Sequence, residues 1–496
     1  MKFWKRLIAL LIGNGTSQVI NFVFMILLVR VFEPLDYATY KQGNLIISTL
    51  TPFLSFGLPV ALSYFISKKE FQLNKNYFIK QTVLVLIITG FLGSFFIWML
   101  RFNISEIYNN PLLKYNIVFF SITLFFEVST SYYPFYMTAE NRNVRLTVVT
   151  IFFGFTRVAT LLAAININKS LSFFMLLYCL NSVVRGIYIH YDTIKNSEFN
   201  WFEFNGELLY KLLIFSLPIA LSNIIYTINA YMGNNIVSYF YTPLQYAIYV
   251  NGAYEIPIIA LITGSIMSAL LPEFCSLYDK NNKYNLNKII KKWNESTVLA
   301  AIVMIPIMYV CLVFADSIIV ILFSKTYILS IPIFMIYSLS VPGKLTYFGT
   351  LLTAANKQKK LVQFGFISMI INIILFFITK LFFSFNMLAL VNILSIYIMD
   401  FLMLKSICKV YLTSWKNAFP WKSICLLLLI NGVIAILFIF IKKQMINNDI
   451  LKFILIAPLM YIISTIISII LIPNTRNTIY IYLCNFYLKR KGKRDE

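Results

Sequence analysis

The stretch EPLDYATYKQG at residues 33–43 returns in worn form as TPLQYAIYVNG at 242–252. Pro34, Leu35, Tyr37, Ala38, Tyr40 and Gly43 recur as Pro243, Leu244, Tyr246, Ala247, Tyr249 and Gly252, an offset of 209 residues. A second echo lies further along each half. TAENRNVRL at 138–146 matches TAANKQKKL at 353–361 in Thr, Ala, Asn and Leu, with Arg142 facing Lys357 at an offset of 215. Two echoes in the same order, at nearly the same offset, read as a duplicated architecture.

The class of that architecture follows from composition. Of 496 residues, 59% are apolar and only 12% charged, about half the charged share of an ordinary soluble domain. Apolar runs of about 20 residues, the length of a bilayer-spanning helix, recur from end to end. They are continuous rather than alternating, which excludes a membrane β-barrel. Fourteen runs can be counted, the first at 7–29 and the last at 453–472. The first follows Lys2, Lys5 and Arg6 and holds GNGTSQ at 13–18. It reads as a retained helix, being too long and too polar for a cleaved leader.

The first echo falls between spans 1 and 2 and again between spans 7 and 8. The second falls between spans 4 and 5 and between spans 10 and 11. Six spans therefore make one unit, and an even number puts both units the same way through the membrane. The sequence predicts an all-α polytopic protein of about 14 helices. Two six-helix lobes, related by a pseudo-two-fold along the membrane normal, are followed by two C-terminal helices. The expected boundaries are 1–190 for the first lobe, 191–211 for a cytoplasmic linker, 212–410 for the second lobe, 411–484 for the two added helices, and 485–496 for a basic tail. Pro52, Gly57 and Pro59, Pro257 and Gly264, and Pro342 and Gly343 fall inside spans. They mark either bending points or the irregularity that membrane helices tolerate anyway.

Lys and Arg exceed Asp and Glu by 23. The basic residues gather in loops that share one side with both termini, including SKKE at 67–70, NKQKK at 356–360 and KRKGKR at 489–494. By the positive-inside rule that side is cytoplasmic. The excess charge is topology and lipid attraction, and no nucleic-acid partner is needed to explain it. Six scattered cysteines with no CxxC spacing argue against a disulfide framework or a metal site. His190 is the only histidine, so a histidine-based triad is not expected. No Gly-Lys-Ser/Thr phosphate loop is present, and no cofactor is expected.

At this point the chain resembles the lipid-linked oligosaccharide flippases of O-antigen and capsular polysaccharide, within the MATE-like transporter superfamily. The resemblance rests on the 6+6+2 layout and on the opening: GNGTSQ, then LLVRVFEPLDYATY at 27–40, then SFGLPVALSYFIS at 55–67. It departs where the family's turn often reads Asp-Tyr-Gly, which here is Asp36-Tyr37-Ala38. What the resemblance implies is a non-enzyme. Its cargo would be an undecaprenyl-pyrophosphate-linked oligosaccharide, carried by alternating access across the bacterial inner membrane. Membrane lipids, a polysaccharide polymerase and a chain-length regulator would be its other partners. Two alternatives stay open: a MATE-like exporter of drugs or other cargo, including a flippase for another prenyl-linked precursor, and a membrane polymerase or glycosyltransferase.

Such cargo needs cations for phosphate, and amides, hydroxyls and aromatics for sugar. Charges placed inside spans are costly in lipid and mark interior paths. Arg157 in FFGFTRVATLL and Lys344 in SVPGKLTYFG are the expected pyrophosphate ligands. Arg30 at the end of span 1 either joins them or snorkels to the interface. Asn14, Gln18 and Asn21 recur on span 1 and either line a cleft or bond a neighbouring helix. Tyr132 and Tyr133, in STSYYPFY at 129–136, offer a sugar-stacking surface or simple packing. Glu127, Glu255 and Asp400 are candidates for a coupling proton or sodium ion. Glu127 is equally open to a structural ion pair with Arg157.

Overall fold

The computed structural model describes the backbone of residues 2–197, 205–444 and 449–472. Among these residues every regular element is helical. The chain divides into two compact units, 1–250 and 251–496. The first holds α1 (Lys2–Val31), α2 (Pro34–Leu54), α3 (Leu58–Ser67), α4 (Lys75–Met99), α5 (Arg101–Ile107) and α6 (Pro111–Ser129). It continues with α7 (Tyr133–Ala139), α8 (Asn143–Ile167), α9 (Leu171–Asn196) and α10 (Gly206–Phe240), and α11 (Pro243–Gly252) ends at its border. The second holds α12 (Pro257–Leu277), α13 (Lys283–Val313), α14 (Ala315–Phe323), α15 (Ile331–Ser338) and α16 (Gly349–Ala354). After these come α17 (Gln358–Phe382), α18 (Leu388–Val410), α19 (Trp415–Ala418), α20 (Trp421–Gln444) and α21 (Asp449–Leu471).

Eleven of these helices are long and apolar enough to cross a membrane, and two bent pairs bring the number to as many as 13 among the described residues. α1 overlies the remaining expected run. This is a multi-pass membrane protein. The apolar side chains that stay exposed confirm which surfaces meet hydrocarbon: Phe91, Phe95 and Phe96 on α4, and Leu429, Val433 and Phe440 on α20. The loop 198–204 and the basic tail, with Cys484, lie outside the described residues.

Helix ends follow local chemistry. Asn110, Ser170, Asn205 and Asn282 each accept a hydrogen bond from a backbone N–H of the first turn, which satisfies donors that a helix leaves orphaned. The echoed sequences adopt echoed conformations. Pro34 and Pro243 each open a helix, where a missing N–H costs nothing. Behind them Tyr37 and Tyr246 are buried, and their amides bond back to Glu33 O and Thr242 O, both at 2.9 Å. In the second echo Asn141 and Asn356 take left-handed conformations, with φ of 60° and 56°. Arg142 N bonds to Met137 O and Lys357 N to Leu352 O, each at 2.8 Å. Asparagine tolerates this region better than most residues, which explains why it is the shared letter of both turns.

Several spans are broken rather than straight. α2 and α3 meet at 47°, and the helices over 325–338 and 341–354 meet at 51°. Gly57 makes the first bend, with φ of 68°. A Cβ there would lie 2.7 Å from Ala220 N and 2.8 Å from Ser216 O of α10, so both conformation and space require glycine. Gly57→Ala is therefore expected to destabilise the protein by about 1–3 kcal/mol, read as a lowered unfolding temperature of the purified protein in detergent.

Candidate functional site

The charges inside the spans are handled in two ways. Some are paired between helices of one unit, and others stand beside helix breaks.

In the first unit, α6 and α9 are joined by Glu127 and Arg185, whose Oε1 and Nη1 lie 2.9 Å apart. The expected alternative of a Glu127–Arg157 pair is thus corrected: Glu127 has Arg185 as its partner. Arg185 lies inside an expected span, in NSVVRGIYIH at 181–190, and that position was the available signal. Lower on α9, Asp192 is buried at 1% exposure and accepts from Tyr133 Oη at 2.9 Å and from Arg145. Tyr132 donates to Thr193 Oγ1 at 2.8 Å, and its exposure is 0%. Both tyrosines expected as a sugar surface are enclosed, with their hydroxyls occupied. Their place is among the packed residues that tie α7 and α8 to α9.

Arg157 stands apart from that network. From α8 it donates to Asn21 Oδ1 of α1, and its guanidinium lies 4.6 Å from the centre of the Phe24 ring. Phe24 belongs to an aromatic cluster with Tyr40, Phe174 and Tyr178. Such a ring face attracts a cation. Asn21 thus bonds a neighbouring helix. Close by in sequence, Ser17 Oγ and Gln18 Oε1 are buried without a hydrogen-bond partner, as is Arg157 Nε. Unsatisfied buried polar atoms are costly, and α1 and α8 carry three of them. Arg30 is exposed in the last turn of α1. The Asn14 side chain lies outside the described residues.

The second unit carries the charges beside helix breaks. Glu255 lies in the non-helical residues between α11 and α12, and Lys344 closes the short 3-10 turn 341–344 between α15 and α16. Their Oε2 and Nζ are 3.1 Å apart. Lys344 therefore sits in a bent span, and Glu255 in the non-helical residues just before the span of α12. Pro257 and the Pro342–Gly343 pair are the sequence causes, since proline cannot donate to the preceding turn. The carbonyls released by the breaks find partners: Thr263 Oγ1 donates to Lys344 O at 2.7 Å, and Tyr397 Oη to Leu339 O at 2.7 Å. Irregular backbone at this depth is tolerated only with such partners or beside a cavity. A small recess of about 20 Å³ lies here, room for about one water, lined by Tyr254, Glu255, Tyr337, Ser340 and Lys344 among others. Lys344 Nζ also lies 5.1 Å from the Tyr337 ring centre. Asp400 of α18 abuts the same break. Its Oδ2 is buried and unpartnered, and a Cβ on Gly343 would come within 3.1 Å of it.

The sequence of this chain matches a family model described as polysaccharide biosynthesis protein over residues 3–278. The chain belongs to that family. Three solved structures place its fold. The lipid II flippase MurJ in an inward closed conformation is 16% identical, with TM-score 0.66, 91% of this chain covered and 98% of that one. An inward-facing multidrug resistance MATE family transporter of the MOP superfamily is 13% identical, with TM-score 0.62 and coverages of 80% and 96%. A MOP superfamily transporter from Pyrococcus furiosus is 12% identical, with TM-score 0.56 and coverages of 81% and 94%. No curated protein sequence matches at a significant level. The polysaccharide biosynthesis family thus has, in this member, the fold of MurJ and the MATE transporters.

The burial of the tyrosines gives a clean separation. Tyr132→Phe and Tyr133→Phe are each expected to cost about 0.5–1.5 kcal/mol of stability and to leave transport unchanged. Asp192→Ala leaves the buried Tyr133 hydroxyl without its acceptor and is expected to cost about 1–3 kcal/mol, with Asp192→Asn milder. Thermal unfolding alongside a surface-glycan assay checks all four.

Proposed function

We propose that this protein flips undecaprenyl-pyrophosphate-linked oligosaccharide repeat units from the cytoplasmic to the outer face of the bacterial inner membrane. The cargo would feed surface polysaccharide assembly, and both termini would lie in the cytoplasm. The observation that carries this reading is the Lys344–Glu255 pair, held at a bent span and the start of another beside a small recess. Membership of the polysaccharide biosynthesis family and likeness to the fold of a lipid II flippase support it.

The physical task is translocation without covalent chemistry, and the protein is proposed to be a non-enzyme. A sugar hydroxyl taken into hydrocarbon without a partner costs about 2–7 kcal/mol, and a pyrophosphate ion costs far more. Polar patches inside the spans remove that penalty. In this reading Lys344 exchanges its Glu255 contact for a phosphate oxygen, and the phenol ring of Tyr337 keeps the ammonium oriented. Arg157 is the other proposed polar contact, within the first unit, where it donates to Asn21 and faces the Phe24 ring. The prenyl tail stays in lipid, and alternating access carries the head group across. Polysaccharide polymerase and chain-length regulator are the proposed downstream partners.

Asp400 is the proposed coupling acid. Glu127 is already neutralised by Arg185, and Glu255 by Lys344, whereas Asp400 keeps a buried oxygen without a partner. The same carboxylate favours the second reading, a MATE-like exporter, because an acidic pocket suits a cationic cargo.

The two readings part in a deletion strain restored with wild type, Arg157→Ala, Lys344→Ala or Asp400→Asn at equal expression. Loss of the gene is expected to trap complete lipid-linked repeat units on the cytoplasmic face. The three variants are expected to lower surface polysaccharide at least about tenfold, the effect of losing one charge-assisted contact. Untouched surface glycan would favour the exporter. Single repeat units reaching the outer face without polymerising would favour the polymerase.

A further inference from the structure

The turn from α18 to α20 carries a feature that neither the fold nor the cargo explains. Trp415 and Trp421 stack with ring centres 5.8 Å apart, and the Trp421 indole donates to Trp415 O at 3.1 Å. Phe401 and Phe419 pack on the pair at 5.2 and 4.7 Å. Both tryptophans remain exposed, at 36% and 38%. Just before them Leu412 takes a left-handed φ of 50° and exposes 59% of its surface. A branched side chain in that region is strained, and it is strained here while holding an apolar group outward. The turn joins the ends of two spans, so these groups lie at the depth where acyl chains meet head groups, the usual seat of tryptophan.

Cations surround this platform. Lys405, Lys409, Lys416 and Lys422 are exposed, and none has an acidic partner among the described residues. Lys360 reaches the same place from α17, with its Nζ 2.9 Å from Ser406 Oγ. From Ala355 to Gln444 the sequence has only one acid, Asp400, and that group is withdrawn beside Gly343. The acids beside residues that touch the turn from other elements are Glu295 of α13, whose neighbour Asn294 donates to Asn417 O at 2.8 Å, and Asp279, whose neighbour Tyr278 packs on Tyr411 at 5.6 Å.

We infer that the α18–α20 turn is a docking site for anionic phospholipid. The stacked tryptophans and Leu412 enter the acyl boundary, and the lysines close around the phosphate-bearing head group. An aromatic wedge flanked by unpaired lysines at a span end is complementary to such a lipid in both polarity and charge. Neutral lipid would satisfy the wedge and leave the cations unanswered. A soluble anion would satisfy the cations and leave the wedge without a role. The site is independent of the transport reading, because it involves neither the Lys344 pocket nor Arg157.

The test uses the full chain in phosphatidylcholine vesicles containing either brominated phosphatidylglycerol or brominated phosphatidylcholine, which quench tryptophan on contact. Quenching at the site is the difference between wild type and the W415F/W421F variant. Phosphatidylglycerol is expected to occupy the site at least about fivefold in preference to phosphatidylcholine, the worth of one lysine at an anionic surface. In the K405Q/K409Q/K416Q/K422Q variant the preference is expected to fall towards one. Equal quenching of wild type by the two lipids overturns the proposal without recourse to any lysine variant. So does a preference that survives the four substitutions in a monodisperse protein, or one abolished by millimolar inorganic pyrophosphate, which would mark a site for soluble anions.

Discussion

Charge inside hydrocarbon is the constraint on which this structure depends. An isolated ion in the bilayer core is too costly to leave unanswered, so each one must find a partner or a polar recess. The protein answers with Glu127–Arg185 and Asp192–Arg145 in the first unit, and with Glu255–Lys344 and Asp316–Lys442 in the second. The last of these closes the end of α20 onto the start of α14, with Lys442 also donating to Val313 O at 2.8 Å. Helix positions are thus pinned by ion pairs set in an otherwise featureless apolar stack. The pairs do not all carry the same consequence. Those held between continuous helices, such as Glu127–Arg185, behave as fasteners. The Glu255–Lys344 pair is held at a bent span and the start of another beside a small recess, where exchange with another anion needs no helix to come apart.

Backbone polarity imposes the second condition. Breaking a span frees carbonyls that water cannot reach, and side chains from α12 and α18 must take them up. Thr263 and Tyr397 do so around Lys344. At Gly343 the same segment lies close to α18, where a Cβ would press on Ile396 and Asp400. The site is therefore the product of a proline–glycine step, two hydroxyl donors and a close helix crossing. None of these would be demanded by simple passage through a membrane.

Much of this was legible in the chain itself. Composition and run length are enough for an all-helical membrane protein, because hydrocarbon permits so few alternatives. The two echoes mark real structural repeats in miniature: buried tyrosines behind a helix-opening proline, and asparagine turns with matching backbone bonds. The candidate charges were visible as charges inside spans, but their partners were not. Arg185 lies inside an expected span, and Asp192 just beyond its end, where a charge normally needs no explanation. Only the packing of α9 against α6 and α8 shows which groups they pair with. The tyrosines of STSYYPFY illustrate the same limit. A sequence shows how many aromatics a segment has, whereas their enclosure depends on helices remote in the chain. The bends were marked by Pro and Gly, yet which bends would hold a charge pair was decided by tertiary contact between α12, α15 and α18.

The central claim is movement of a prenyl-pyrophosphate sugar across a bilayer by this chain alone. It is tested most directly by reconstituting the purified protein in liposomes that contain undecaprenyl-pyrophosphate oligosaccharide in both leaflets. An impermeant glycosidase is then added outside, and the protected fraction is followed with time. The account predicts that the protected half becomes accessible in protein-containing liposomes and stays protected in protein-free ones. Protection that persists in sealed vesicles containing the folded protein, with a proton or sodium gradient imposed in either direction, would contradict it.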